Sequence, residues 1–146
     1  MAAVVDVQLP GGRMAAAVAA GGYHTCAVLT DRTAICWGWN FYGELGRDST
    51  AAVCGSGGGG CMSGLATIFL GAGAAVVAIA AGYGHTCAIV ASGVTKCWGW
   101  NFEGRLGIGS TADQGDSAGE MAALGAVTLP GGAVCGQARR RAECVE

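Results

Sequence analysis

Apolar residues in this chain fall in short runs, and glycine ends most of them. Residues 75–81 read Ala-Val-Val-Ala-Ile-Ala-Ala and stop at Gly82. The run is rich in β-branched residues and lies between Gly-containing turns. That predicts a strand buried on both faces rather than a helix. A second strand is predicted over residues 85–90 and a third over 94–100. Between these two, Ala91-Ser92-Gly93 forms a hairpin turn in which Gly93 is free to take positive φ. Three strands joined in this way make a small antiparallel meander. A helical reading fails because glycine interrupts every stretch long enough to hold a helix.

The same pattern occurs twice. Ala19-Ala20-Gly21-Gly22-Tyr23-His24-Thr25-Cys26-Ala27 returns as Ala80-Ala81-Gly82-Tyr83-Gly84-His85-Thr86-Cys87-Ala88. Cys36-Trp37-Gly38-Trp39-Asn40-Phe41 returns as Cys97-Trp98-Gly99-Trp100-Asn101-Phe102. Both matches share an offset of 61 positions, from His24 to His85 and from Trp37 to Trp98. No gap falls between Pro10/Gly71 and Ala51/Ala112. A fixed period of this kind signals a repeat architecture, in which each unit buries apolar surface against the next. One turn differs between the copies. Thr30-Asp31-Arg32-Thr33 places Arg32 where the second repeat has Gly93, so the first turn is expected to be strained or of another type.

The motif Ala-Ala-Gly-x-x-His-Thr-x-Ala, then a hairpin, then Trp-Gly-x-Asn-x-x-Gly-x-Leu-Gly, resembles the repeat of the regulator of chromosome condensation family. The resemblance covers residues of about 10–51 and 71–112, with weaker similarity to about 132. It is nearest to the cysteine-bearing variant with His-Thr-Cys-Ala and Cys-Trp-Gly. It implies an all-β fold of antiparallel four-stranded blades of a β-propeller, here incomplete at about two blades. The expected organisation is a first repeat at 1–52 and a Gly-rich interblade loop at 53–70. A second repeat follows at 71–112, then a linker with the start of a third repeat at 113–132, and a degenerate tail at 133–146. The pattern starts inside a repeat, so the chain is expected to be part of a longer array. Two blades alone would leave an apolar face on each flank, which predicts self-association.

The eight cysteines follow the repeat. Cys26 and Cys36 flank the first hairpin, and Cys87 and Cys97 the second. Residues so placed face each other across adjacent strands, close enough for a disulfide. Buried thiols and a metal site are the alternatives, but no Cys-x-x-Cys pair supports a metal. Cys54 and Cys61 bracket the glycine tract and could clip that loop. Cys135 and Cys144 have no counterparts and stay unassigned.

Composition removes several functions. Charged residues make up 12% of the chain, against about 25% on average. The formal net charge of −2 gives no electrostatic footprint for nucleic acid. Arg139-Arg140-Arg141 is a solvated tail on this reading. Residues 68–94 contain no Asp, Glu, Lys or Arg, but glycines break the stretch, it carries His85 at its centre, and its first-repeat counterpart holds Arg13 and Asp31. A membrane span is therefore not expected, and no secretory signal is visible at the N-terminus. The tract at 55–60 satisfies Gly-x-Gly-x-x-Gly but neither follows a clear strand nor opens a helix, so no dinucleotide site is expected.

His24 and His85 recur at a strand entry without a neighbouring carboxylate to orient a general base, which favours a structural role. Trp37, Trp39, Trp98 and Trp100 alternate with Gly38 and Gly99. At strand period each pair shares one face, and packing between blades is expected. Asn40 and Asn101 are assigned as structural residues of the repeat. Relatives of the family include a stacked-tryptophan ultraviolet sensor, but the corresponding positions here read Gly22-Tyr23-His24 and Tyr83-Gly84-His85, which does not support photoreception.

The expected function is a non-enzymatic protein-interaction module, with a protein or further blades as partner, no catalytic residue, and no cofactor or metal. Guanine-nucleotide exchange on a small GTPase, implied by the resemblance, and an extracellular structural or adhesive role are the alternatives. Paired cysteines lean towards an oxidising or extracellular compartment.

Overall fold

The computed structural model describes residues 7–54, 61–128, 134–138 and 141–145; of Ser63 and the last two stretches only the backbone is described. The glycine tract at 55–60, and residues 129–132 of the hinted third-repeat start at 127–132, lie outside the described residues.

Two antiparallel sheets carry the two repeats. The first is β1 (Ala15–Ala20), β2 (His24–Leu29) and β3 (Ala34–Gly38), in that spatial order. The second is β4 (Val76–Ala81), β5 (His85–Val90) and β6 (Thr95–Gly99). Their registers are copies. His24 lies opposite Gly38 as His85 lies opposite Gly99, and a bulge recurs between Ala15/Ala17 and Val76/Ala78. A four-stranded blade was expected; each sheet has three strands, and a single bridge holds the fourth position, Gly38 to Val53 and Gly99 to Gln114. A short helix, α1 (Glu120–Ala123), follows the second sheet. β7 (Val134–Ala138) and β8 (Arg141–Val145) pair as a separate hairpin with Cys135 opposite Cys144 in register.

The first strand of each sheet corrects one expectation. β4 was read as buried on both faces, yet only Val76 is buried, and β1 is almost wholly exposed. Both are edge strands, with a hydrogen-bonded neighbour on one side only. Their alanines leave little area to bury, and their apolar character reflects close packing rather than enclosure.

The core lies between the sheets. Cys26, Val28, Cys36, Leu45, Ile68, Val76, Ala88, Trp98, Met121 and Leu124 form one buried cluster there. A smaller cluster of Ala27, Leu29, Ile35 and Leu65 covers the outer face of the first blade, with Leu9, Trp37 and Met62 against it. Backbone hydrogen bonds tie the blades, with Gly22 N–H donating to Tyr83 C=O at 3.2 Å and Val76 N–H to Arg32 C=O at 2.8 Å.

The cysteine pairing holds. Cys26–Cys36 and Cys87–Cys97 are disulfides, each between residues directly opposite, with Cα atoms 4.1 Å apart. Cys54–Cys61 closes the glycine loop. Each bond spans ten positions or fewer, for which constraint of the unfolded chain contributes about 3 kcal/mol or less.

The first hairpin turn is strained where the repeat comparison expects it. Arg32 has φ of 65°, the left-handed region that Gly93 occupies at 84°. Asp31 compensates in part, its Oδ1 accepting from the Thr33 N–H and hydroxyl. Replacing Arg32 with Gly removes a Cβ penalty of about 1–2 kcal/mol and restores an unfolded-state entropy cost of about 0.4–1 kcal/mol. A net gain of up to about 1.5 kcal/mol is expected for Arg32→Gly in urea unfolding, and a clear loss would show that the side chain contributes more than its strain.

Candidate functional site

The two repeats bring their recurring residues together at the interblade joint. His24 reaches across the joint. Its Nε2 lies 2.9 Å from Thr86 Oγ1, and the Thr86 hydroxyl donates to Glu44 C=O at 2.9 Å. Thr86 then accepts from His24 Nε2–H, which fixes the neutral tautomer. Trp98 Nε1–H donates to the same carbonyl at 2.9 Å. One backbone oxygen of the first repeat therefore collects two donors of the second.

Asn40 and Asn101 do the same work in each repeat. Asn101 Nδ2 donates to Ser110 C=O and Ala112 C=O at 2.9 and 2.8 Å, and its Oδ1 accepts from Leu106 N–H at 2.9 Å. Asn40 makes the equivalent bonds to Ser49, Ala51 and Leu45. Each side chain holds the outgoing loop in place as a buried clip.

The histidines carry a pH dependence. Burial, and then the neighbouring His85, pull the His24 pKa below its ordinary value of 6.5. Burial, then Arg105, does the same to His85, whose Nδ1 is buried without a hydrogen-bond partner. The folded state prefers both rings neutral. Their contribution to stability is fully present above pH 6.5 and is lost as pH falls below it. Glu44 has the opposite sign, since burial raises its pKa above 4.5; it disfavours folding as pH rises through its own transition. The melting temperature is expected to fall between about pH 7 and pH 5. His24→Gln, which keeps a donor for Thr86, should flatten that fall; an unchanged slope would remove His24 from the account.

Next to it lies a surface that strand periodicity did not anticipate. Trp37 and Trp39 were expected on one interblade face. The structure separates them, because Gly38 and Gly99 have φ of 110° and 100°. No alternation survives a residue in that region. A Cβ at Gly38 would also meet the Tyr23 carbonyl. The chain turns there, so Trp98 packs between the blades, fully buried, while Trp39 is 52% exposed.

Trp39 and Trp100 then join a ladder of rings. Trp39 stacks on Phe41 at 6.3 Å, Phe41 meets Tyr42 edge-on at 5.0 Å, Tyr42 stacks on Trp100 at 5.2 Å, and Trp100 on Phe102 at 5.7 Å. The Arg105 guanidinium sits 4.0 Å from the Trp100 ring centre. Tyr23 and Tyr83, one from each repeat, meet edge-on at 5.6 Å. Between these groups opens a cavity of about 420 Å³ lined by Tyr23, Trp39, Tyr42, Glu44, Tyr83, Gly84 and Trp100. Glu44 is the one charged residue of that lining. Its Oε2 accepts from Tyr42 N–H at 2.9 Å. Burial, reinforced by Asp113, pushes its pKa up against the pull of hydrogen bonds from its own backbone N–H and that of Tyr42.

Sequence reasoning missed Tyr23, Phe41, Tyr42, Tyr83, Phe102, Glu44 and Arg105 as a group. Part of the signal was available. Trp39-x-Phe41 and Trp100-x-Phe102 recur at the repeat offset, outside the strands that would need them as core. Glu44 and Arg105 stand at equivalent positions with opposite charge. Among the described residues no cluster of three or more His, Cys, Asp or Glu could hold a metal ion, and no helix is long and apolar enough to cross a membrane.

Comparison with known proteins agrees with the repeat reading. The family described as Regulator of chromosome condensation (RCC1) repeat matches twice, at residues 15–44 and 76–105. The Ultraviolet-B receptor UVR8 of Arabidopsis thaliana is 36% identical over 101 residues, which cover 66% of this chain and 20% of the receptor. The chain thus spans about a fifth of the length of that relative. Among solved structures, human WBSCR16 superposes with a TM-score of 0.66 at 23% identity, over 88% of this chain and 30% of that one. Prp20p of Saccharomyces cerevisiae gives 0.60 at 17% identity, over 84% and 27%. At these identities the structural likeness establishes the fold, two blades of an incomplete propeller.

Proposed function

We propose, from the premise that this is a chain of RCC1 repeats, that it works as a non-enzymatic protein-interaction module. The observation that carries the reading is the aromatic surface at the interblade joint. Tyr23, Trp39, Phe41, Tyr83 and Phe102 are each more than half exposed, and both repeats contribute. Aromatic rings with one wet edge are the residue type that recurs at binding hot spots. His24, the side chain most suggestive of chemistry, is occupied by Thr86 across the joint. The fold likeness to Prp20p, whose structure is described together with its binding to Gsp1p and histones, supports a macromolecular partner. Further blades of the same kind are a second partner for the outer faces. A groove of about 660 Å³, lined by Val7, Leu9, Met14, Val18 and Trp37 among others, lies on the flank of the first blade. Self-association through such a flank follows from the same exposure. The three disulfides favour an oxidising compartment.

The test uses a defined partner obtained by crosslinking and identified. The triple variant Trp39→Ser, Phe41→Ser, Phe102→Ser alters exposed side chains and should retain the fold. Loss of the partner with an unchanged melting temperature supports the module reading. Partner retention removes the aromatic surface from it. Acceleration of nucleotide release from a small GTPase by the purified chain would instead favour the exchange-factor alternative.

A further inference from the structure

The cavity among Tyr23, Trp39, Tyr42, Tyr83 and Trp100 has a composition that selects a ligand class. Five of its walls are aromatic and its one charge is the Glu44 carboxylate. Its volume of about 420 Å³ is that of a small-molecule site. The rings present electron-rich faces and edges, and their attraction for a cation is electrostatic. The structure already shows this preference beside the cavity, where the Arg105 guanidinium lies over Trp100 and Phe102 at 4.0 and 5.7 Å.

Glu44 supplies the second half of the argument. It is 2% exposed, and the ion pair found among the described residues joins Arg13 to Asp31, elsewhere on the first blade. A nearly enclosed carboxylate with no cationic partner is costly unless something neutralises it. Asp113 acts on it with the same sign of charge and adds to the cost. A cation entering the cavity would remove that cost.

The polarity of the walls narrows the cation further. A primary ammonium is a compact, strongly hydrated point charge and gives up its water at high cost. Five of the seven residues that line this cavity are aromatic. A methylated ammonium brings fewer donors or none, spreads its charge over methyl groups and sheds water more cheaply, which suits aromatic walls.

We propose that this aromatic box, with Glu44 as counter-charge, binds an alkylated ammonium group. The proposal rests on reading the aromatic surface as a binding surface and names what it takes. The same chemistry could come from a trimethylated lysine side chain or from a free quaternary amine such as choline.

Calorimetric titration of the full chain tests it with four probes: choline, its uncharged carbon isostere 3,3-dimethylbutan-1-ol, and a short peptide bearing either trimethyllysine or unmodified lysine. Choline and the trimethyllysine peptide should bind, with the isostere and the lysine peptide at least about 10-fold weaker. A tighter peptide than choline assigns the source to a protein side chain, and equal affinities assign it to the head group alone; both support the site. Trp39→Ala, Tyr83→Ala and Glu44→Gln should each weaken choline by about 5- to 10-fold. The two aromatic positions are exposed, and Gln keeps the acceptor for Tyr42 N–H, so folding should survive. Equal binding of choline and its isostere would overturn the proposal by removing the role of charge. Absence of binding by every probe would overturn it as well. The partner-retention assay on the triple serine variant stands apart from these titrations. If it succeeds while choline and the peptide fail, the interaction module stands and the ammonium site falls.

Discussion

Replacing Asn101 with Leu should cost about 4 kcal/mol in urea unfolding, enough to leave a domain of ordinary stability marginal. The side chain is fully buried and closes three backbone groups at once, the carbonyls of Ser110 and Ala112 and the N–H of Leu106. Leucine fills the space but leaves all three without a partner. A buried polar group deprived of its hydrogen bond costs about 1–3 kcal/mol. Asn101→Asp separates donation from acceptance. It retains the acceptor for Leu106 N–H but turns a carboxylate towards two carbonyl oxygens, so at neutral pH it should be at least as harmful. Protonation at low pH should return part of the loss, since the acid form regains one donor. The same pair of substitutions at Asn40 should behave alike, because its three partners sit at the same repeat positions. A loss below about 1 kcal/mol at either site would mean that water replaces the clip without penalty.

The parts of this structure that sequence made legible are those governed by strict period. The repeat offset placed His24 and His85 at the same strand entry, and the hairpin spacing placed Cys26 opposite Cys36 and Cys87 opposite Cys97. Alternation failed where the backbone leaves the strand. Gly38 and Gly99 were visible as glycines, but not their positive φ, nor the close approach of the Tyr23 and Gly84 carbonyls that leaves no room for a Cβ there. Burial was misjudged for β4 because an apolar run says that a strand packs closely, not how many neighbours it has. The candidate site was illegible for a related reason. It forms from pieces of two repeats, Tyr23 with Tyr83 and Tyr42 with Trp100, and a repeat comparison aligns equivalent residues rather than those that meet. Glu44 is the clearest case. Nothing in Gly43-Glu44-Leu45-Gly46 marks it as buried, and its equivalent, Arg105, is exposed.

Equivalent positions with unequal surroundings should also have unequal energetics, and the two strand tryptophans give the sharpest contrast. Trp37 and Trp98 share a repeat position, yet Trp98 lies between two blades and Trp37 lies on the flank of the first. Trp98 is fully buried beside Leu45, Ile68 and Met121, and its indole N–H donates to Glu44 C=O. Truncating a buried aromatic of this size costs about 3–5 kcal/mol through lost transfer energy and the cavity left behind. The Glu44 carbonyl keeps Thr86 as a donor, so little is added from that side. Trp98→Ala should therefore lose about 4 kcal/mol. Trp37 is half-buried against Leu9, Leu65 and Met62, with one side open to the flanking groove. Area lost from water there is smaller and no deep cavity can form, so Trp37→Ala should lose about 1 kcal/mol. Paired urea unfolding of the two variants measures the difference directly. Near-equal losses would require a neighbour on the outer face of the first blade equivalent to the second blade, and a second copy of the chain docked there would supply it. Repeating the measurement across protein concentration separates the cases, since a loss that depends on association shrinks as the chain is diluted.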